Sequence, residues 1–333
     1  MQFVYPIATF LATVVLLGIL LRSNVFAKIQ DIPNQRSLHQ QPIPRTGGLA
    51  LMAGLGLSAI FQPTLFSWYF FAPVFLLVLV SLVDDISGVS PKWRLLIHMV
   101  AAGVFIAGAL YSSGASVGVL ILIGLAVVWM INLYNFMDGS DGLAGGMALF
   151  GFSVYGAAGW IAGDNEIAIF AFSIAAAALA FLLFNFHPAK IFLGDTGSIP
   201  LGFFAASLGL IGWQRQDWPF WFPLLVFSPF IMDASATLLR RLLRGERVWE
   251  AHRGHYYQRL VQSGFGHRNT ALLEYALMMA SGVSALWAAH AGSEIQILVL
   301  AAWAILYGAL ALLTDRRWKK YSRLQGPLND ESH

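Results

Sequence analysis

The sequence predicts an all-α, polytopic membrane bundle of about eleven transmembrane helices. Three observations predict it. The 333 residues are 58% hydrophobic and only 11% charged. Apolar runs near the length of about 20 residues that crosses about 30 Å of hydrocarbon fill almost the whole chain. Basic residues gather in alternate connections between these runs. No space remains for a soluble domain, so 1–314 reads as one integral-membrane domain and 315–333 as a tail.

The candidate spans are 3–22, 47–62, 65–83, 93–112, 115–133, 143–162, 166–185, 199–213, 219–239, 271–290 and 294–314. The first lacks a basic leading region and a small-residue cleavage site, so it reads as a retained helix. Prolines 33, 42 and 44 bar a regular helix between the first two spans. The second and eighth are short, to be tilted, broken or extended by flanking residues. Alternating the connections puts 23–46, 84–92, 134–142, 186–198, 240–270 and the tail on one side. All but Arg215 of the 20 Lys and Arg lie on or beside that side, which the positive-inside rule makes cytoplasmic. The N-terminus is then outside and the C-terminus cytoplasmic, as in a bacterial inner membrane.

The chain has no Cys, which excludes disulfides and thiolate zinc sites. Its net charge of +3 is a topology signal. No basic patch interleaved with aromatics marks a nucleic-acid binder. The tail, basic and then acidic, reads as a solvated anchor. Arg240, Arg241, Arg244 and Arg247 suit anionic lipid headgroups.

Five carboxylates stand out in so apolar a chain, since charge at a membrane is expensive and marks function. Asp84 and Asp85 close the third span, where an acid opposes the helix dipole and calls for a cation. Lys92 and Arg94 follow. Asn132, Asn135 and Asp138 close the fifth span at three-residue spacing and share a face; Gly139 and Gly142 let the chain turn and a ligand approach. Asp141 suits the N-cap of the sixth helix. Gly194-Asp195-Thr196-Gly197-Ser198 opens the eighth. Its plain reading is a cap by Asp195 or Ser198, but small residues before a helix also present amides to phosphate. Asp195 would repel phosphate unless a divalent cation stood between them, and Mg²⁺ binds through one or two carboxylates plus substrate phosphates. His252, Arg253 and His255 suit phosphate or a sugar hydroxyl. Arg45, Lys92 and Arg253 are placed to meet substrate phosphates. All of this falls on the cytoplasmic side, which points to phosphoryl transfer between a soluble diphosphate and a lipid.

The ordered motifs Pro-Arg-Thr-Gly-Gly (44–48), Val-Asp-Asp (83–85), Asn-x-x-Asn-x-x-Asp-Gly-x-Asp-Gly-Leu-Ala (132–144), Phe-Leu-Gly-Asp-Thr-Gly-Ser (192–198) and His-Arg-x-His-Tyr-Tyr-Gln (252–258) resemble the polyprenyl-phosphate N-acetylhexosamine-1-phosphate transferases of glycosyltransferase family 4. The resemblance implies that undecaprenyl phosphate attacks the β-phosphate of a UDP-N-acetylhexosamine, releasing UMP, with direct attack favoured over a covalent intermediate. It implies Mg²⁺, or Mn²⁺ in its place, on Asp195 with Asp85. It implies Asp84 as activator of the lipid phosphate, and Asp138 with Asn135 lining the metal-diphosphate pocket alongside Asn132. It puts Asp141 and Phe192 at the uridine, Phe192 stacked on uracil, and His252 and His255 at the donor. A homodimer is the family expectation. The last loop is closer to branches that start O-antigen or other surface polysaccharides than to the branch making the peptidoglycan lipid precursor, so phospho-MurNAc-pentapeptide transfer is the alternative within the family.

Other classes fit less well. An ion-coupled transporter gathers polar groups near mid-membrane, whereas here they lie at one face. An intramembrane aspartyl protease needs Gly where Phe192 stands. A CDP-alcohol phosphotransferase needs Ala-Arg where Gly145-Gly146 stand.

Overall fold

The computed structural model describes residues 4–23, 29–33, 41–60, 67–111, 113–247 and 253–324. Asn34 and His252 of the motifs, and the acidic end of the tail, lie outside the described residues. The chain is a multi-pass, all-helical membrane protein. Among the described residues, nine helices are long and apolar enough to cross a membrane, against the eleven or so expected.

The difference has two sources. The second expected span is only α2 (Gly47–Ile60), 14 residues long, too short for a perpendicular crossing that needs about 20. The ninth is split into α9 (Phe222–Val226) and α10 (Ser228–Leu243). Pro223 and Pro229 each stand in a first helical turn, where a missing N–H costs nothing, so the run stops and restarts. The remaining helices follow the apolar runs: α1 (Val4–Arg22), α3 (Trp68–Ser87), α4 (Pro91–Ala109), α5 (Val117–Phe136), α6 (Leu143–Ala162) and α7 (Asn165–Asn185). The eighth is longer than its apolar core: α8 (Asp195–Gln214) takes in the whole Asp-Thr-Gly-Ser motif.

The chain after α10 also departs from the expectation. Part of the expected 240–270 loop is structured, with α11 (Tyr256–Leu260) and a kinked turn at Val261–Phe265 leading into α12 (Gly266–Ala289). The last helix, α13 (Ser293–Leu324), runs straight out of its apolar stretch into the basic tail. The start of that tail is therefore ordered helix, not a loose anchor.

α8 is the axis of the bundle. Its residues from Asp195 to Gly212 are almost all buried, packed by α3 on one side and α5 on the other. α4 bridges α3 and α5, α6 and α7 form an antiparallel hairpin, and α1 and α2 lie against α7. Between α3, α4, α7 and α8, the rings of Phe70, Phe105, Phe170, Phe203 and Phe204 pack with centroids 5.4–6.4 Å apart.

The Pro-Arg-Thr-Gly-Gly segment is tied into this core by backbone hydrogen bonds. A two-residue ladder pairs β1 (Gln30–Asp31) with β2 (Ile43–Pro44). Pro44 O then accepts from Phe192 N at 2.7 Å, and Gly47 N and Gly48 N donate to Phe192 O and Leu193 O at 2.9 and 2.8 Å. Both glycines are required by closeness: a Cβ on Gly48 would overlap the backbone of Gly197, and one on Gly47 would stand 2.7 Å from Phe192 O. The two motifs are thus joined backbone to backbone just before α8. Overpacking here costs about 1–3 kcal/mol. Gly48→Ala is expected to lower the detergent unfolding midpoint clearly, while Gly124→Ala, which meets open space, leaves it unchanged; fluorescence-detected thermal melts check this.

Candidate active site

The centre of the site is the first turn of α8. A helix start leaves orphan N–H groups and a partial positive charge. The Asp85 carboxylate meets both: Oδ1 accepts from Asp195 N at 3.1 Å, and Oδ2 accepts from Thr196 N at 2.9 Å and Thr196 Oγ1 at 2.7 Å. Asp85 therefore caps α8 from outside the helix, with both oxygens hydrogen-bonded. The cap was expected from Asp195 or Ser198 on the same helix; it comes instead from α3.

With Asp85 seated there, its neighbour Asp84 lies beside Asp195. Arg94, in the first turn of α4, closes the gap. Its Nη1 is 2.8 Å from Asp84 Oδ2 and its Nη2 is 2.8 Å from Asp195 Oδ2. Nη2 also donates to Asn135 Oδ1 at 3.3 Å. Asn135 Nδ2 donates onward to Asp195 Oδ1 at 2.8 Å and Ser198 Oγ at 2.9 Å. Val89 N donates to Asp84 Oδ1 at 2.5 Å. Asp84, Asp195, Asn135 and Arg94 thus form one charge-assisted network. Lys92, two residues before Arg94, is exposed and outside it. Two positions along α4 is about 200° round the helix, so Arg94 points inward to the acids while Lys92 faces out.

Asp138 differs from these. It lies in the turn after α5, is half-buried, and its carboxylate accepts no hydrogen bond from a described residue. Burial first, then the nearby charges of Asp195 and Asp85, push its carboxyl well above the usual range, with Arg45 opposing them. Arg45 is half-exposed and 4.0 Å from Asp31. Burial lowers its pKa, but the fields of Asp31, Asp195, Asp85 and Asp138 outweigh this and raise it. A carboxylate without a donor, beside like charges, suits a divalent cation with oxygen ligands. Among the described residues no three acidic or histidine side chains converge to enclose a metal by themselves. The donor set therefore fits an ion held by Asp195 and Asp138 and completed by substrate phosphate, not a closed protein cage.

The remaining expected residues fall in two other places. Asp141 does not cap α6, whose N-cap is Gly142 in the left-handed region at φ 76°. Gly142 N is instead satisfied by Asn185 Oδ1 at 2.9 Å, and Asn185 Nδ2 donates to Ile191 O at 2.8 Å. Asp141 is 2.6 Å from His187 Nδ1 and accepts from Ala189 N at 3.2 Å. The ring of His187 stacks on that of His267 at 5.4 Å. Phe192 is half-buried in the segment whose amide bonds Pro44 O. His255 faces inward, buried, with Nδ1 3.2 Å from Asp233 Oδ1, so it orients the loop rather than standing open to a donor. Arg253 is exposed.

An apolar groove of about 420 Å³ opens beside this network. Leu95 of α4, Leu125, Val128, Trp129 and Phe136 of α5, and Leu238, Leu239 and Leu242 of α10 line it. Its one polar wall residue is Asn132, whose Nδ2 is turned to Val128 O at 2.7 Å. Asn132 lies one turn before Asn135 on α5, and Leu95 follows Arg94 on α4, so the groove's wall adjoins the network.

A profile of glycosyl transferase family 4 matches residues 67–212. The chain is 29% identical over 297 residues to a probable undecaprenyl-phosphate N-acetylglucosaminyl 1-phosphate transferase of Bacillus subtilis strain 168, covering 84% of this chain and 83% of that one. It is 29% identical over 314 residues to the undecaprenyl-phosphate alpha-N-acetylglucosaminyl 1-phosphate transferase of Escherichia coli strain K12, covering 87% and 84%.

From α3 to α8 the chain is similar to glycosyl transferase family 4.

The stretch matched to the family contains α3 to α8 and with them Asp84, Asp85, Arg94, Asn135, Asp138 and Asp195. Arg45 and the His255 loop lie outside it. Three polar residues escaped the sequence reading. Asp233 was hidden in the apolar run 219–239 and Glu274 in 271–290; a lone acid in a span is itself a signal. His98, a turn after Arg94, is buried with Nδ1 unbonded to any described residue.

Removing Arg94 strands two neighbouring carboxylates that are 10% and 13% exposed. Arg94→Gln is expected to destabilise by about 2–4 kcal/mol, below the fully buried limit because Arg94 keeps some water contact. Arg94→Lys, which keeps charge but loses the bridging fork, costs less. Adding Asp84→Asn to Arg94→Gln recovers part of the loss. Chemical denaturation of the four detergent-solubilised proteins checks the order.

Proposed function

We propose that this protein transfers N-acetylglucosamine 1-phosphate from UDP-N-acetylglucosamine to undecaprenyl phosphate, giving undecaprenyl-diphosphate-N-acetylglucosamine and UMP. The observation that carries the reading is the meeting of an apolar groove with a carboxylate and guanidinium network at a membrane helix start. A lipid phosphate needs the first, and a nucleotide diphosphate with its counter-ion needs the second. The names of the relatives choose N-acetylglucosamine over phospho-MurNAc-pentapeptide. The product fits the first step of O-antigen or another surface polysaccharide. The site lies at the cytoplasmic face of a bacterial inner membrane, where basic connections accumulate and UDP-sugars are found.

The acceptor's prenyl chain occupies the groove between α4, α5 and α10, with its phosphate beyond Asn132. The donor diphosphate lies along Arg94 and Arg45. One oxygen of the lipid phosphate attacks the donor's β-phosphorus. A new P–O–P link forms, the bond from the β-phosphorus to the bridging oxygen breaks, and UMP leaves with that oxygen. The nucleophile is already an anion, so the chain's task is neutralisation and in-line placement. Arg94 and Arg45 offset charge on the diphosphate. Asp84 holds Arg94 rather than acting as a base, since its oxygens are taken by Arg94 and Val89 N. Asp195 and Asp138 would hold Mg²⁺, which supplies charge stabilisation on the diphosphate when bound.

Incubation of purified protein with radiolabelled UDP-N-acetylglucosamine, undecaprenyl phosphate and Mg²⁺ is expected to give labelled lipid and UMP, and excess EDTA to stop it. Absence of both products with every UDP-N-acetylhexosamine tried would falsify the reading. Asp138→Asn and Asp195→Asn each lower turnover by about 100-fold or more. Leu239→Trp, which fills the groove, is expected to raise KM for undecaprenyl phosphate about tenfold and to leave KM for the UDP-sugar unchanged.

A further inference from the structure

Away from the site, α13 carries Asp315 just beyond its apolar stretch. Two guanidiniums converge on this carboxylate. Arg240 of α10 pairs with it through both nitrogens, Nη1 to Oδ1 at 2.8 Å and Nη2 to Oδ2 at 2.7 Å. Arg259 of α11 reaches Oδ1 from Nη1 at 2.9 Å. The Tyr256 ring lies between the two, 4.9 Å from Arg240 and 5.4 Å from Arg259, and its hydroxyl accepts from Arg240. Farther along α13, Arg317 donates to Ser263 Oγ and Ser263 O, both at 2.8 Å, and covers the Phe265 ring at 5.1 Å. Segment 256–265 is thus strapped along the end of the last helix.

The other side of the same segment touches the site. Asp233 accepts from Tyr256 N and Tyr257 N, each at 2.9 Å, which caps α11. Tyr257 is fully buried. Its hydroxyl donates to Phe136 O at 3.2 Å and fills the space beside Gly139, where a Cβ would collide with it. Phe136 and Gly139 bracket the turn that carries Asp138. A continuous line of contact therefore runs from Asp315 through Arg240, Arg259 and α11 to the Asp138 turn.

We propose that Asp315 is a positioning residue for the transfer reaction: by holding Arg240 and Arg259 together it seats Tyr257 against the turn that presents Asp138. The proposal rests on the transferase reading for its kinetic consequence, and on geometry alone for its structural one. A five-residue helix has no stability of its own, so α11 keeps its place only through its neighbours. The two guanidiniums repel each other across Tyr256. Their side chains are only 22% and 12% exposed, so water cannot replace a lost counter-ion cheaply. Without Asp315 the cheaper course is for Arg259 to move toward water, and Tyr257 moves with it. Misplacement on that scale is costly to a reaction that depends on geometry.

The test uses full-length Asp315→Asn, Arg259→Gln and their double variant in detergent. Asp315→Asn is expected to lower kcat about tenfold or more with KM for undecaprenyl phosphate unchanged and the bulk unfolding midpoint retained. Arg259→Gln in that background removes one of the two repelling cations and is expected to recover about threefold. Hydrogen exchange adds a readout independent of activity: in Asp315→Asn, amides of 255–265 and of 136–142 exchange faster together. If wild-type protein turns over no UDP-sugar, the transferase reading fails and exchange alone decides the clamp. Unchanged exchange at 136–142 in Asp315→Asn overturns the proposal. So does wild-type kcat in Asp315→Asn, or a kcat loss that follows unfolding and is not recovered by Arg259→Gln.

Discussion

The contact on which the site depends is the Asp85 carboxylate at the N-terminus of α8. A helix start inside a bundle cannot leave its amides to water, and each unsatisfied group there would cost about 1–3 kcal/mol. Asp85 satisfies two amides and a hydroxyl at once, and its charge matches the positive end of the helix dipole. That bond locks α3 to α8 at one height. Asp84 then has to lie near Asp195, and the adjacency of two acids creates the need for Arg94.

Charge balance around this point is local. Arg94 bridges two acids, Asn135 passes one of their hydrogen bonds to Ser198, and Arg45 faces the same group from the Pro-Arg-Thr-Gly-Gly strand. Asp138 is the acid left over. Four acids near two guanidiniums form a site with cation demand built in, which a divalent ion would meet. The groove beside it is nearly all hydrocarbon. Polar and apolar requirements meet at Asn132, one turn from Asn135.

Much of this was legible in the chain. Long apolar runs must be helices in a bilayer, because no other backbone satisfies itself there. Their ends mark where polar chemistry can sit, so the motifs at 84–85, 132–141 and 194–198 were found as places. What each residue does was harder to read. Asp85 looked like a ligand, and its capping of α8 could not be read; Asp141 looked like a cap and holds His187 instead. Lys92 drew attention through its charge, yet Arg94 points inward, and a loop-centred reading does not resolve helical phase. Asp233 and Glu274 were overlooked because single acids vanish within an apolar average. Arg240 and the start of the tail looked like lipid anchors until Asp315 was seen between Arg240 and Arg259.

The sequence by itself determined the helical membrane bundle, most of its long apolar helices and the helix ends where the polar motifs stand. Each of these depends on composition and order along the chain, since hydrophobic transfer is local and non-directional. Only the tertiary structure decided which acid caps, which is paired and which stays open. Those roles depend on distances between residues such as Asp85 and Thr196, 111 positions apart. Electrostatic and hydrogen-bond energies fall off within a few ångströms in space, and no pattern along the chain encodes that separation.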